Sequence, residues 1–329
     1  MMKRDMMMKV TFAALVFTMA QGCSASPAAA GDAVEQKAGT AIAAPVPAQD
    51  DPLLKPIAPD YAKRWLEPTP PTKIFGNTYL VGFGDLNVAL IKTSAGLILI
   101  DGAVPQAVPA IEENIRSLDF KVEDIKYILS TEPHYDHSGG LAALQRDSGA
   151  VVLAGIRAVK ELQAGEGDPH EPQGSSLEKF PAIKNVRGVR DGETITVGDV
   201  TVTAVATPGH TLGSTSWIWK SCEGQACKSV VFASSASPIT SGTFRLSDRA
   251  HKAYPEAFAA TFKKLRAMDC DILFTAHPSQ SGGAEKLTAL RAGAKVNPYV
   301  NADGCKIYAD AFEKRLKDKL AEEASGKAD

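Results

Sequence analysis

The sequence has no Lys/Arg-rich run, and its formal charge is only −2, from 36 Lys and Arg against 38 Asp and Glu in 329 residues. Without a basic patch nothing is present to neutralise a phosphate backbone, which excludes DNA or RNA as a partner and argues against a nuclease. The longest apolar run, Val10 to Ala20, falls well short of the roughly 20 residues that a permanent membrane span needs. Cysteines number five and none stands in a Cys-x-x-Cys pair, so a zinc site of four thiolates is the weaker reading of them. Aromatic residues are few, at 7%. Apolar residues reach 44%, an ordinary globular composition that can bury one sizeable core once the amino-terminal region is set aside.

That region, residues 1–22, has Lys3, Arg4 and Lys9 ahead of the apolar run and reads as a secretory signal. It ends in Met19-Ala20-Gln21-Gly22-Cys23, which resembles a bacterial lipobox, with Cys23 lipidated as the first mature residue. Ordinary cleavage near Ala28-Ala29-Ala30 is the alternative. The protein is therefore expected in the periplasm, attached to the outer membrane only through that lipid. Residues 23–50 are Ala, Pro, Gly, Gln and Ser with scattered acids, too poor in apolar surface to order themselves, and read as a tether. A proline-punctuated arm, 51–70, offers Leu53, Leu54, Ile57, Tyr61, Trp65 and Leu66 for packing, followed by a folded domain over 71–322 and a tail over 323–329. Export favours an even number of paired cysteines. Cys23 is the odd one; the other four can pair as Cys222 with Cys227, closing a short loop between two strands, and Cys270 with Cys305, tying a strand to a carboxyl-terminal segment.

Within the domain, Thr78–Val81, Val88–Ile91 and Leu97–Ile100 read as an antiparallel meander ending at Asp101-Gly102, where Asp101 either supports a site or caps a turn. Val108, Ile111, Ile115 and Leu118 recur at helical spacing. Strands follow at Tyr127–Leu129 and 150–154, a hairpin at Thr194–Val197 and Val200–Ala206, and a further pair at Thr215–Trp219 and Val230–Ala233. Helices are expected at Pro255–Met268, Ala284–Ala294 and Ile307–Leu320, with a strand at Ile272–Thr275. This order predicts an α+β fold of two βα halves, sheets face to face and helices outside.

The chemistry concentrates after Leu129, in Ser130-Thr131-Glu132-Pro133-His134-Tyr135-Asp136-His137-Ser138-Gly139-Gly140. Four potential metal ligands, Glu132, His134, Asp136 and His137, fall within six residues at a strand's carboxyl end, where such folds build sites. His210, in Thr207-Pro208-Gly209-His210, and His277, in Thr275-Ala276-His277-Pro278, stand in similar settings. Imidazoles and carboxylates together suit zinc. His170, in a glycine-rich loop, and His251, between segments, are read as exposed and uninvolved.

These motifs resemble the metallo-β-lactamase superfamily, whose signature is His-x-His-x-Asp-His with two downstream histidines. The resemblance covers roughly residues 70–320 and implies the four-layer αββα sandwich. It assigns Glu132, His134 and His210 to one zinc and Asp136, His137 and His277 to a second, with hydrolysis of the β-lactam amide of penicillins, cephalosporins and carbapenems by zinc-bound hydroxide. Glu132 replaces the histidine that most relatives have. An anionic, flexible ligand is expected to weaken the first site. After Val230-Val231-Phe232-Ala233 this chain has Ser234 and Ser235 where thioesterase and lactonase relatives usually place a bridging aspartate. With Trp217-Ile218-Trp219 and the two cysteine pairs, the chain looks most like class B β-lactamases of the third subclass. That implies catalytic roles for Asp136 and Glu132 and contacts from Ser235 and Ser237 to a small-molecule β-lactam, in a monomer. A periplasmic hydrolase of another ester or lactone, or a zinc-binding lipoprotein with weakened catalysis, are the other readings.

Overall fold

The computed structural model describes residues 50–174 and 176–326. The signal segment, Cys23 and nearly all of the tether lie outside the described residues. None of the described helices is long and apolar enough to cross a membrane.

The described chain opens with helix α1 (Pro59–Trp65), which has Pro at its first position, Asp60 in its first turn and Lys63 and Arg64 in its last, all matched to the helix dipole. Seven strands then form one sheet in sequence order: β1 (Thr72–Phe75), β2 (Thr78–Leu80), β3 (Ala89–Thr93), β4 (Gly96–Ile100), β5 (Ile125–Leu129), β6 (Val151–Gly155) and β7 (Val186–Val189). The first four pair antiparallel and the last four parallel. Parallel neighbours need crossovers, and these are α2 (Val108–Ser117), the short α3 (Tyr135–Ser138) with α4 (Leu141–Ser148), and α5 (Val159–Ala164). The second sheet runs β8 (Thr194–Val197), β9 (Val200–Ala206), β10 (Thr215–Glu223) and β11 (Ala226–Ala233) as a meander. After α6 (Ala253–Ala267), β12 (Ile272–Thr275) joins its edge parallel to β11. Helices α7 (Gly283–Arg291) and α8 (Gly304–Ala324) close the fold.

Side chains of period two sort these elements into four layers. Ile98 and Ile100 point between the sheets, where they share a buried cluster with Trp217, Trp219, Phe232 and Phe274. Their neighbours Leu97 and Leu99 turn outward onto Ile111 and Ile115 of α2. On the far side Val231 and Leu273 face Phe258 and Phe262 of α6 and Phe312 of α8. Both buried indoles are satisfied: Trp217 Nε1 donates to Ser130 O at 3.2 Å and Trp219 Nε1 to Thr78 Oγ1 at 2.9 Å. This is the αββα architecture.

Both cysteine pairs are disulfides, Cys222–Cys227 across the β10–β11 hairpin and Cys270–Cys305 between the start of β12 and the first turn of α8. Some expectations need correction. Strands β1 and β7 escape the pattern because they are four residues each and carry half-buried or exposed polar positions, Thr72 and Lys73 in one and Arg187 in the other. The residues read as an arm include a helix, with Trp65 buried in the first core. The stretch read as a tail belongs in part to the fold: α8 runs to Ala324, and the buried Glu323 carboxylate accepts the Leu246 and Ser247 N–H groups at 3.2 and 2.7 Å. His251 is half-buried, stacked on Phe244 at 3.8 Å with its Nδ1–H donated to Arg245 O at 2.7 Å.

Candidate metal centre

The site lies where several strands finish. Strand β5 ends at Leu129 and releases the motif, β4 ends beside it at Asp101, β9 leads to His210, β11 to Ser234–Ser237, and β12 to His277. Two features let the motif pack tightly. A Cβ on Gly140 would run into the Gly102 carbonyl, so only glycine fits there. Asp101, at φ 62°, takes the left-handed conformation that Asp tolerates better than most residues. Its buried carboxylate accepts the Thr131 N–H at 2.8 Å and the Thr131 hydroxyl at 2.7 Å.

The fold brings six side chains from these distant segments into two groups, Glu132, His134 and His210 in one and Asp136, His137 and His277 in the other. Within each group the ligand atoms lie within 4.8 Å of one another. Glu132 Oε1 is 3.5 Å from His210 Nε2 and 4.0 Å from His134 Nδ1. Asp136 Oδ2 is 3.2 Å from His277 Nε2 and 3.4 Å from His137 Nε2. The opposite ring nitrogens of two histidines are held by the protein, His210 Nδ1–H donating to Ser237 O at 2.8 Å and His277 Nδ1–H to Asp85 O at 3.0 Å, while His137 Nδ1 faces Asp101 at 3.7 Å, beyond hydrogen-bond reach. Such bonds fix which nitrogen is free to bind a metal.

Glu132 Oε1 is buried and has no hydrogen-bond partner. A buried carboxylate oxygen without a donor is costly unless a cation meets it, so the donor set fits a pair of metal ions. The groups also set one another's protonation, and not all of them stand in the neutral-imidazole or ionised-carboxylate form that a metal needs. Burial, with His210 alongside, pushes the His134 imidazole down to about 3, leaving it neutral. Burial alone would raise both carboxyls, but the surrounding imidazoles outweigh it and hold Asp136 and Glu132 below their ordinary values. Burial lowers His277 as well, yet the Asp136 bond outweighs it and raises His277 to about 9.

Five of the six, His134, Asp136, His137, His210 and His277, line a cleft of about 380 Å³, with Glu132 buried behind them. Trp65 and Tyr61 of α1, Leu177 and Ile239 form its walls, and Ser235 and Ser237 reach its edge. Ser235 Oγ is buried without a partner. His170 is exposed and belongs to neither group. Sequence reasoning missed Gln173, whose amide nitrogen lies 3.4 Å from His210 Nε2, and also Leu177, Ile239 and Gln280. Gln280 follows His277 by three residues and Ile239 follows Ser237 by two, so proximity to a site segment was the available signal.

The family model of the metallo-β-lactamase superfamily matches residues 81–277. A solved B3 metallo-β-lactamase with an active-site glutamic acid is 45% identical, covers 84% of this chain and 99% of its own, and superposes with a TM-score of 0.77. The metallo-β-lactamase SMB-1, solved with 2-mercaptoethanesulfonate bound, is 39% identical over 79% of this chain and 99% of its own, with a TM-score of 0.76. Among curated relatives, the hydroxyacylglutathione hydrolase of Hyphomonas neptunium is 29% identical over 122 residues, 37% of this chain and 40% of that protein. The same enzyme of Idiomarina loihiensis is 27% identical over 183 residues, 55% of this chain and 56% of that protein. The chain thus spans about half the length of the curated relatives it matches.

Proposed function

The chain belongs to the metallo-β-lactamase superfamily, and from that premise we propose that it is a zinc-dependent β-lactamase of the B3 type, hydrolysing the cyclic amide of penicillins, cephalosporins and carbapenems. The observation that carries this reading is Glu132, fully buried among His134, His210 and His137, in a chain alike to a B3 enzyme with an active-site glutamic acid over 99% of that enzyme. Glu132, His134 and His210 would hold one zinc and Asp136, His137 and His277 the other. Bound there, zinc lowers the pKa of a coordinated water from 15.7 to about 7 and polarises a carbonyl oxygen.

The protein's own groups supply the rest. Asp136, whose Oδ2 stands between His137 and His277, orients the attacking water through its other carboxylate oxygen. Ser235 Oγ, buried and unpartnered, and Ser237 bind the carboxylate of the antibiotic, directly or through water. The anionic 2-mercaptoethanesulfonate bound by SMB-1 supports acceptance of a negatively charged small molecule. Trp65, Tyr61, Leu177 and Ile239 pack on the substituents of the substrate and thin the water around it.

A thioesterase activity like that of the hydroxyacylglutathione hydrolases is the second reading, favoured by the curated relatives. Ser234 and Ser235 after β11 speak against it, since no carboxylate is offered there. Comparing turnover of a penicillin with that of a glutathione thioester separates the two: preference for the thioester would overturn the lactamase reading. We assign the enzyme to the periplasm as a monomer with Cys23 lipidated, in keeping with its two disulfides.

A further inference from the structure

The second oxygen of the Glu132 carboxylate leads to a residue that neither the motif nor the cleft contains. Oε2 accepts the Ser235 N–H at 2.8 Å. The carbonyl of that same peptide unit, Ser234 O, accepts the Tyr308 hydroxyl at 3.2 Å, and the hydroxyl oxygen accepts the Ala236 N–H at 2.9 Å. Tyr308 stands in α8, only 2% exposed, one turn after Cys305, whose bond to Cys270 ties down the start of the helix. Ser237 O, in the same segment, receives Nδ1–H of His210. Residues 234–237 therefore orient two of the three ligands in the first group, and Tyr308 grips the segment on both sides of Ser235.

We infer that Tyr308 is a positioning residue for the first metal site: its hydroxyl fixes the Ser234–Ser235 peptide so that the amide engages Glu132 Oε2 and leaves Oε1 for the metal. The hydrogen bonds run in one direction, from hydroxyl to carbonyl and from amide to carboxylate, so each polarises the next. The last is charge-assisted and the strongest of them. The hydroxyl has one proton, for which Gln280 Oε1 at 2.9 Å competes with Ser234 O. Turning the Gln280 amide over, so that its nitrogen faces Tyr308, gives every bond a donor and an acceptor. The second group has a separate support, Asp85 O for His277. Loss of the Tyr308 hydroxyl should accordingly loosen one site and spare the other.

The test is Zn²⁺ titration of the apoprotein against a chromophoric chelator, comparing wild type with Tyr308→Phe. A His277→Ala background isolates the first site, and a His210→Ala background the second. Tyr308→Phe is expected to raise the first-site Kd about tenfold, the low end of what supporting contacts contribute to a metal site, with the second site and the near-UV circular dichroism unchanged. No change at either site, or equal weakening of both, overturns the inference. In a Glu132→His background the Ser235 amide no longer meets a carboxylate, and the effect should shrink to about threefold or less; a full effect there overturns the relay. The inference rests on the metal-centre reading but not on the substrate. A wild type that binds no zinc overturns both, whereas zinc binding without β-lactam turnover leaves Tyr308 in its role and removes only the lactamase reading.

Discussion

Glu132 Oε1 lies 3.3 Å from His137 Nε2, so a ligand atom of the first group touches a ligand of the second. Glu132→Ala should therefore empty the first site, weaken the second, and lower kcat/KM by more than about 100-fold, the upper end of the cost of losing a mere supporting contact. The carboxylate is also expected to make the wild-type first site the weaker of the two, and Glu132→His should bring the affinities together. Zinc titration reads both effects. Two equally tight wild-type sites would contradict the second.

Flexibility would not be the reason for such a weakness. On sequence grounds a glutamate side chain costs more entropy to fix than an imidazole. In the structure Glu132 is fully buried and already anchored through Ser235 N–H, so its ordering accompanies folding rather than metal binding. What remains is the effect of negative charge on the Lewis acidity of the ion.

Asp101→Ala should lower stability by about 2–4 kcal/mol, since it strands the buried Thr131 N–H and places alanine at positive φ. Asp101→Asn keeps an acceptor and tolerates the left-handed backbone, so it should lose less. Thermal unfolding of the apoproteins measures the difference; equal losses would mean that the Thr131 bonds carry no stability.

Ser235→Ala with Ser237→Ala should raise KM for carboxylate-bearing β-lactams by roughly 5–30-fold with little change in kcat, the equivalent of one or two hydrogen bonds used for uniform binding. Steady-state kinetics on a penicillin decides this. An unaltered KM would remove both serines from the substrate site.

The motif, its three ligand segments and the αββα order were legible in the sequence because they are local: an apolar run, a polar cluster, a turn. Counting set Cys23 apart, and the short loop between two strands suggested the Cys222–Cys227 pair. Tyr308, Gln173 and Asp85 were not legible, because each reaches the site only through tertiary packing. Helix α8 closes onto the end of β11, the loop after α5 folds over His210, and the turn after β2 meets His277. No spacing along the chain announces any of these contacts.

Acidity offers an independent check on the loop that carries Gln173. Burial pushes the Glu161 and Glu171 carboxyls up to about 8 and about 7, from an ordinary 4.5, with Glu171 adding to the rise at Glu161. Both hold backbone: Glu161 Oε2 accepts the Asp168 N–H at 3.3 Å and Glu171 Oε1 the Leu212 N–H at 2.7 Å. Their folded values lie above the unfolded one, so the folded state binds more protons between those limits. The stability they contribute is fully present below about pH 4.5 and is lost as pH rises through 7 and 8. Replacing both by glutamine should flatten the fall in Tm between about pH 5 and 8, measured on the apoprotein. A double variant with the wild-type slope would contradict the assignment.

Hydrolysis of a penicillin and a carbapenem by the purified protein, with chelator and then with graded Zn²⁺, tests the central claim most directly. Turnover that chelator abolishes and zinc restores is the predicted result. Inactivity at saturating zinc, with both sites filled, would contradict it.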